Sequence, residues 1–506
     1  MSDDDVARLL RSDAPLVVIE APAGCGKTYQ GAGYAKDCAT AEQRGRLLVL
    51  AHTHAACGVF RERTRGTGSK VEIKTVASLA VEIASAYHIP LELPHQVEAW
   101  ARMGGEGGFD AVAQKCANFL TRHRMIACAL ARRYPVVICD EHQDCTADQH
   151  AILMALHASG VKLRVFTDPL QRIYTGKTSK EAKTDAARWE ALKAQGAHAV
   201  LDFPHRWRTG SLELGKWVLE ARAALLNGQP VVIPAKRPVG LNVIVANNQA
   251  KARAQLQLDN RKPVDHVMMG GDQILVLTAS NEMADAITAF TNRRVGVWEG
   301  HTRDALTALV DVLQSKNGDA EAVAGALVAF VGGVGVGFSM STHGTRLMEE
   351  IKDGCCKPTK GKPACIQDMA KAILAEPNHV GASKALKLLK DFIEQKQNGF
   401  DTVKIDYRAE FGEAVRLGAF PTPEDGLGEM MRRRAHFRRA LPDRVVSTIH
   451  KAKGLECRNA MLIPCDSGFG NTYYSRCRLY VALSRASDTL TLVVPSSGGS
   501  PLLKIE

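Results

Sequence analysis

The residues between 16 and 28 have the types and the spacing needed to bind a phosphate group. A short apolar run at residues 16–19 (LVVI) has the composition of a buried parallel strand. It leads into the segment APAGCGKT at 21–28, which has the spacing of a P-loop apart from alanine at its first position. Backbone N–H groups of such a loop point inward at phosphate oxygens. The residues expected to contact a nucleotide are Ala23, Gly24, Cys25, Gly26, Lys27 and Thr28.

The side chains of this loop have distinct expected roles. Gly24 and Gly26 allow the backbone to curl toward the phosphates. In a P-loop the lysine, here Lys27, reaches the β- and γ-phosphates, and the hydroxyl group, here that of Thr28, ligates Mg²⁺. The segment therefore predicts a nucleotide-binding site that also holds Mg²⁺.

A pair of carboxylates follows a second apolar run. Residues 136–139 (VVIC) lead directly into Asp140 and Glu141. An α/β sheet places ligand groups at the carboxyl ends of its strands. Two acids crowded behind four apolar residues would be costly without a cation, which argues against an acidic surface turn. We expect Asp140 to hold Mg²⁺ and Glu141 to orient and deprotonate an attacking water.

The elements that must position these groups alternate along the chain. Strand-like segments are followed by helical ones, which predicts an α/β fold with a mainly parallel sheet. At 506 residues the chain is long enough for two to four domains. The expected strands are 16–19, 46–51, 136–139, 163–167, 242–246, 273–278, 444–448, 460–464 and 490–494.

Composition and charge narrow the class of protein. Hydrophobic residues make up 45% and charged residues 24% of the chain, as in soluble globular proteins, and the net charge of +11 fits a polyanionic partner. No apolar run is long enough for a membrane helix, so we expect no membrane association. The 13 cysteines lack framework spacing, which indicates reduced thiols and a cytoplasmic location. A zinc knuckle is a weak alternative for Cys355, Cys356 and Cys365, which lack a CxxC pair.

Further motifs give the chain a resemblance to one family. DEHQD at 140–144 resembles the DExQD box of UvrD/Rep-like superfamily 1 helicases, and other motifs occur in that family's order. Single motifs arise by chance, whereas so many in order do not. The segments at 50–56, 74–79, 167–174, 201–206, 448–456 and 478–486 are similar to the TFTNKAA, GTIHSF, GDxxQSIY, LxxNYR, TxHxxKGLE and YVALTRA motifs.

The resemblance implies a specific domain organisation. It predicts two RecA-like P-loop NTPase lobes with parallel sheets, each carrying a mainly helical insertion. The first lobe would span residues 1–200, with its insertion at about 80–133. The second would combine 201–300 with 440–506, and 301–439 would form its insertion. Both insertions are short for the family.

The resemblance also assigns residues to ATP hydrolysis with Mg²⁺. Gln171 would sense the γ-phosphate, and Arg206 and Arg485 would contact it as arginine fingers. Gln143 and Glu456 would contact the nucleotide, Glu456 at the ribose. The catalytic set that follows is Glu141, Gln171, Arg206 and Arg485.

Another group of matching positions falls where the family contacts single-stranded DNA. Tyr174 and His205 would stack on bases, each contributing roughly 1–3 kcal/mol. The alternatives are an ordinary half-buried tyrosine and a hydrogen-bonded loop histidine. The nucleic-acid group is Thr53, His54, Thr75, Tyr174, His205, Thr448 and His450.

The chain departs from the family mainly on the DNA side. The segment before the P-loop lacks the glutamine that reads adenine in many relatives. The stacking tryptophan that commonly follows the GDxxQSIY motif is absent from residues 175–177, and Pro204 and His205 replace the asparagine and tyrosine of LxxNYR. The residues expected to hydrolyse ATP are all present.

Two functions follow as hypotheses. The first is an ATP-dependent 3′→5′ DNA helicase or translocase that couples ATP hydrolysis to movement on single-stranded DNA. The alternative is a DNA-sensing NTPase subunit of an antiviral defence complex, which controls a partner nuclease and unwinds little. The compact layout resembles the helicase-like subunit of Gabija-type antiphage systems, which works beside an OLD-family nuclease. A catalytically inactive DNA-binding scaffold is disfavoured because the site residues are present.

Overall fold

The apolar runs of the N-terminal part form one parallel sheet. The computed structural model describes residues 2–40, 45–174, 178–251, 255–299, 303–356, 365–436 and 441–506. Val, Ile and Leu dominate the central strands, which are buried because helices cover the sheet. The strands are β1 (Leu16–Glu20), β2 (Leu47–Ala51), β3 (Val71–Thr75), β4 (Val136–Cys139), β5 (Lys162–Thr167) and β6 (Ala197–Val200).

The order of these strands determines which loops meet. It is β3-β2-β4-β5-β1-β6, and all neighbours are parallel. Since β5 lies between β1 and β4, the residues that follow these three strands lie side by side at one edge. The P-loop follows β1, Asp140 follows β4, and Asp168 follows β5.

Helices between residues 76 and 133 share a core with this sheet. Leu48 and Leu50 of β2 lie in one buried cluster with Leu79, Val112 and Leu120. The helices of this part are Asp3–Arg11, Lys27–Thr40, His54–Arg63, Val76–Ala86, Val97–Met103, Gly105–Arg122, Arg124–Arg133, Ala147–Ala158 and Ser179–Gln195.

A second parallel sheet is built from later parts of the chain. The remaining strands are β7 (Val231–Ile233), β8 (Leu241–Val245), β9 (Ile274–Thr278), β10 (Gly296–Val297), β11 (Gly335–Val336), β12 (Lys404–Ile405), β13 (Arg444–Thr448), β14 (Cys457–Leu462), β15 (Ala486–Val494) and β16 (Leu503–Ile505). The second sheet contains β13, β9, β14, β15 and β8, which are successive parallel neighbours in that order. The prediction of two RecA-like lobes with parallel sheets is confirmed.

The chain divides into two compact units. The first contains both of these sheet lobes and comprises Met1–Asn292 and Ala440–Glu506, and the second is Arg293–Arg439. That residues 301–439 are an insertion of the second lobe stays a prediction. The later helices of the first unit are Leu212–Leu226, Arg261–Met269, Asn281–Phe290 and Tyr473–Leu483.

The second unit is mainly helical and has its own core. Apolar faces of its helices pack together through residues such as Leu309, Leu327 and Leu386, and β11 and β12 form a short antiparallel pair. Its helices are Asp304–Ser315, Ala320–Val334, Thr345–Lys352, Ile366–Ala375, His379–Glu394, Arg408–Arg416 and Pro423–His436.

The sequence analysis considered a zinc site at three cysteines and expected no membrane association. Among the residues that the structure describes, no cluster of three or more His, Cys, Asp or Glu side chains could hold a metal ion. The segment 357–364, between Cys356 and Cys365, lies outside them. None of the helices in the described ranges has both the length and the apolar character needed to cross a membrane.

The packing of Trp207 gives a prediction about stability. Trp207 is fully buried, and a Cβ added to Gly215 would lie 2.7 Å from its Cγ. We expect Gly215→Ala to lower the free energy of unfolding by about 1–3 kcal/mol through overpacking. Gly33, also within a helix, has no such neighbour within 4 Å, so Gly33→Ala should raise that free energy by up to about 1 kcal/mol.

Chemical denaturation of the two alanine variants beside the wild type tests this expectation. Both substitutions add one methyl group to a helical glycine, so helix propensity favours each of them equally. A Gly215→Ala variant as stable as Gly33→Ala would show that the tryptophan shifts at no cost.

Candidate functional site

The P-loop joins β1 to the helix Lys27–Thr40. Gly24 has φ +74° and Gly26 has φ +87°, a region that side-chain-bearing residues rarely adopt. Space is a second constraint, because a Cβ on Gly24 would lie 2.7 Å from the Cβ of Arg206. The first turn of the helix carries no acidic side chain. The loop and the helix N-terminus are therefore compatible with a bound anion.

Lys27 connects the loop to the carboxylates after β4. Its ammonium group forms an ion pair with Glu141 and lies 3.6 Å from Oδ1 of Asp140. Burial opposes the charge of Lys27, but the two carboxylates raise its pKa. Burial also opposes ionisation of Glu141, yet Lys27 and Lys453 hold its pKa below the usual value. Glu141 is therefore in the ionised form that a general base requires.

Asp140 has the properties of a cation ligand. Its side chain is buried, and Oδ1 has no hydrogen-bond partner. Burial and the neighbouring Glu141 raise the pKa of Asp140, whereas Lys27 opposes this rise. A divalent cation would compensate the buried carboxylate, and Mg²⁺ prefers carboxylate oxygens. Asp140 thus fits Mg²⁺, and Thr28, the second residue of the following helix, stays a predicted ligand.

Two glutamines link the general-base candidate to the end of β5. Gln143 donates a side-chain hydrogen bond to Glu141, and its Oε1 accepts one from the backbone N–H of Asp168 at 3.0 Å. Gln171 donates to Oδ2 of Asp168 at 2.9 Å. Gln143 thus lies between Glu141 and Asp168, and its contact with the nucleotide stays a prediction.

Arg206 and Arg485 meet at Ser484, beside the P-loop. Arg206 donates from Nη1 to the carbonyl oxygen of Ser484 at 2.5 Å and from Nη2 to Glu456 at 2.6 Å. Arg485 donates to Oγ of Ser484 at 2.6 Å. The backbone N–H of Arg206 donates to the carbonyl of Gly24 at 3.0 Å. Burial, with the charge of Arg206, lowers the pKa of Arg485 to about 10.

Tyr480 is a site residue that sequence reasoning missed. Its hydroxyl accepts a hydrogen bond from the backbone N–H of Ala23 at 2.9 Å, and the residue is fully buried. It lies on the helix Tyr473–Leu483, within the segment that resembles YVALTRA, which was the available signal. A residue of the second lobe therefore binds the P-loop backbone directly.

Three threonines of the predicted nucleic-acid group bind the backbone locally. Oγ1 of Thr53 accepts from the N–H of Ala56 at 3.1 Å, and Oγ1 of Thr75 accepts from that of Ser78 at 3.0 Å. Oγ1 of Thr448 accepts from the N–H of Lys451 at 3.4 Å. The first two hydroxyls are helix N-caps. Their contact with DNA stays a prediction, as does that of the exposed His54.

Tyr174 and His450 lie together. Tyr174 is 46% exposed, and its hydroxyl donates to the carbonyl of His450 at 3.5 Å. The ammonium group of Lys453 lies 4.8 Å from the centre of the Tyr174 ring, a cation–π contact. Nε2 of His450 lies 2.6 Å from the hydroxyl of Tyr474, a residue that sequence reasoning missed. This aromatic group could stack on bases.

His205 is in a different place from Tyr174. Its Nε2 lies 2.6 Å from a carboxylate oxygen of Asp3, and a Cβ on Gly26 would lie 3.2 Å from its ring. The reason is topological, because β6 neighbours β1 and the chain that follows β6 passes the P-loop. This position favours contact with a bound nucleotide, and stacking of His205 on DNA stays a prediction.

Comparison with known families gives two matches. Residues 7–177 match the family described as an AAA domain, and residues 444–493 match the UvrD-like helicase C-terminal domain. The first match contains the P-loop and both carboxylates, and the second contains Glu456 and Arg485. No curated protein matches the chain. The two matches confirm the resemblance to UvrD/Rep-like superfamily 1 helicases and support a helicase-like, nucleotide-binding NTPase.

Proposed function

We propose that the protein is an ATP-dependent DNA helicase or translocase that moves 3′→5′ on single-stranded DNA. The observation that carries the proposal is that candidate hydrolytic residues from both lobes meet at the P-loop. Lys27 pairs with Glu141 from the first lobe, the backbone N–H of Arg206 binds the carbonyl of Gly24, and the side chains of Arg206 and Arg485 meet at Ser484. Both family matches support this class of motor, and the polarity follows from the resemblance.

Hydrolysis requires an exchange of partners at Lys27. With ATP bound, its ammonium group leaves Glu141 for the β- and γ-phosphate oxygens. Glu141, still ionised, then orients the attacking water and accepts its proton. Asp140 would hold Mg²⁺, which supplies charge neutralisation at the phosphates. The ion pair of Lys27 with Glu141 thus keeps two groups in place until the substrate separates them.

The arginines provide the coupling between hydrolysis and movement. Arg206 and Arg485 bind Glu456, Ser484 and nearby carbonyl oxygens. Exchange of these partners for the γ-phosphate draws the two lobes together, and hydrolysis releases them. If each lobe also holds the DNA strand, alternate closure and opening moves the protein along it. Tyr174 and His450 are the proposed contacts with bases.

The test is ATP hydrolysis by the purified protein with and without single-stranded DNA. We expect strong stimulation by DNA, and displacement of a strand from duplexes with a 3′ tail in preference to a 5′ tail. Tyr174→Ala should weaken DNA binding by roughly 1–3 kcal/mol while DNA-independent hydrolysis is unchanged. Tyr174→Phe keeps the ring and is the matched control.

The same hydrolysis assay distinguishes the motor from the alternative function, a DNA-sensing NTPase. Hydrolysis that is indifferent to DNA would contradict a motor and favour an NTPase sensor, the DNA-sensing subunit of a defence complex. The sensor function requires a partner nuclease, and the family matches do not support a partner nuclease of the OLD family. Copurification with a nuclease would favour it over the motor.

A further inference from the structure

A buried arginine outside all of the motifs lies next to the P-loop strand. Arg222 belongs to the helix Leu212–Leu226 and is 7% exposed. Its Nη2 donates to Glu20 at 2.6 Å, and its Nε and Nη2 donate to Oδ1 of Asp168 at 3.1 and 2.9 Å. Glu20 ends β1 and Asp168 follows β5, two strands that pair. One guanidinium group thus joins the ends of two neighbouring strands.

This guanidinium is the cationic partner of two carboxylates that have little exposure to solvent. The Asp168 side chain is completely buried, and that of Glu20 is 13% exposed. Burial opposes ionisation of Glu20, but His198 and Arg222 lower its pKa to about 2. A buried carboxylate is costly unless it is paired and hydrogen-bonded. Arg222 supplies both requirements at Asp168, through two donors to one oxygen.

Asp168 also binds Gln171, the candidate γ-phosphate sensor. Its other oxygen, Oδ2, accepts from the side-chain amide of Gln171 at 2.9 Å. That bond sets the orientation of the Gln171 amide, because its NH₂ group must face the Asp168 carboxylate. The orientation of Gln171 therefore depends on where Arg222 holds the Asp168 carboxylate.

The same guanidinium also touches the residue that binds the P-loop backbone. Its central carbon lies 6.0 Å from the centre of the Tyr480 ring, and the hydroxyl of Tyr480 accepts from Ala23. Glu20 directly precedes the P-loop segment. Arg222 is thus connected with the P-loop at two points and with Gln171 through Asp168.

We propose that Arg222 is a positioning residue for γ-phosphate recognition. It holds Asp168 so that Gln171 faces the γ-phosphate, and it ties this sensor to the P-loop through Glu20 and Tyr480. Arg222 does not itself contact the nucleotide. The inference rests on the proposed function, because it requires that the site binds ATP.

Arg222→Lys separates this role from simple support of the fold. Lysine keeps the positive charge next to Asp168, so neither carboxylate is left without a cation. It cannot reproduce the planar fork that reaches both carboxylates at once, because an ammonium group is a point charge. A merely structural arginine would affect the melting temperature and leave nucleotide discrimination unchanged.

The experiment compares the affinities of a non-hydrolysable ATP analogue and of ADP. In Arg222→Lys we expect the preference for the ATP analogue to fall about tenfold, the value of one lost hydrogen bond to a charged group, with ADP affinity nearly unchanged. Gln171→Ala should show the same loss. The double variant should lose no more than Gln171→Ala alone, because both changes act on one link.

One control variant and two contrary results test the role of Arg222. Lys216→Ala, at an exposed position of the same helix, should retain wild-type discrimination. Wild-type discrimination in Arg222→Lys, or additive losses in the double variant, would overturn the inference. If Arg222→Lys does not fold, Asp168→Asn weakens the same link from its other end and decides the question. Failure of the wild-type protein to bind the ATP analogue would instead refute the proposed function.

Discussion

Lys27→Ala is expected to abolish ATP binding and hydrolysis. The substitution removes the cation that would contact the β- and γ-phosphates. It also leaves the buried Asp140 and the partly buried Glu141 as neighbouring carboxylates without the ammonium group that now compensates them. The emptied site would then repel a nucleotide rather than attract it. Both effects act in the same direction, which makes this the largest effect that we expect from one substitution.

The measurement is steady-state hydrolysis together with the thermal shift produced by ATP. A ligand that binds only the folded state raises its stability, and that rise should vanish in the variant. Lys36→Ala, at an exposed position of the same helix, is the matched control and should behave as the wild type. Normal hydrolysis by Lys27→Ala would refute the assignment of the P-loop.

Glu141→Gln is expected to separate binding from chemistry. The amide cannot accept a proton from water, so turnover should fall roughly 10²-fold or more. Nucleotide binding should persist or tighten, because the neutral side chain no longer competes with phosphate for Lys27. This outcome differs from that of Lys27→Ala, which loses both.

Single-turnover hydrolysis and nucleotide affinity, measured on one preparation, test this expectation. Glu220→Gln makes the same chemical change at an exposed helical position and should leave both quantities unchanged. Wild-type turnover in Glu141→Gln would assign proton abstraction to another group. Loss of binding as well would mean that Glu141 supports the site structurally.

Local patterns predicted much of the architecture. Apolar runs located β1, β4 and β5, because a strand buried on both faces reads as a continuous hydrophobic stretch. Seven of the sixteen described strands were not predicted, and two of these, β3 and β6, belong to the first sheet. In β3 (VEIKT) apolar residues alternate with charged ones, and β6 (AHAV) is interrupted by a histidine, so neither strand is a continuous hydrophobic stretch.

The candidate site was partly predictable from sequence. Gly24, Gly26 and Lys27 belong to a contiguous segment whose backbone conformation depends on neighbouring residues, and their spacing was sufficient. Arg222 gave no signal, since a single arginine in an amphipathic helix normally faces solvent. The position of His205 beside Gly26 was not predicted, because it follows from the strand order, and its stacking on DNA stays a prediction.

The sequence by itself determined the P-loop, the carboxylates that follow β4, and the division into parallel-sheet lobes. These features depend on neighbouring residues and on short hydrophobic periods. Only the tertiary structure determined that Tyr480 binds Ala23, 457 residues away, and that Arg222 joins Glu20 to Asp168. Such contacts follow from the order of the strands and from the packing of the lobes. Short-range patterns in the sequence predict neither of these.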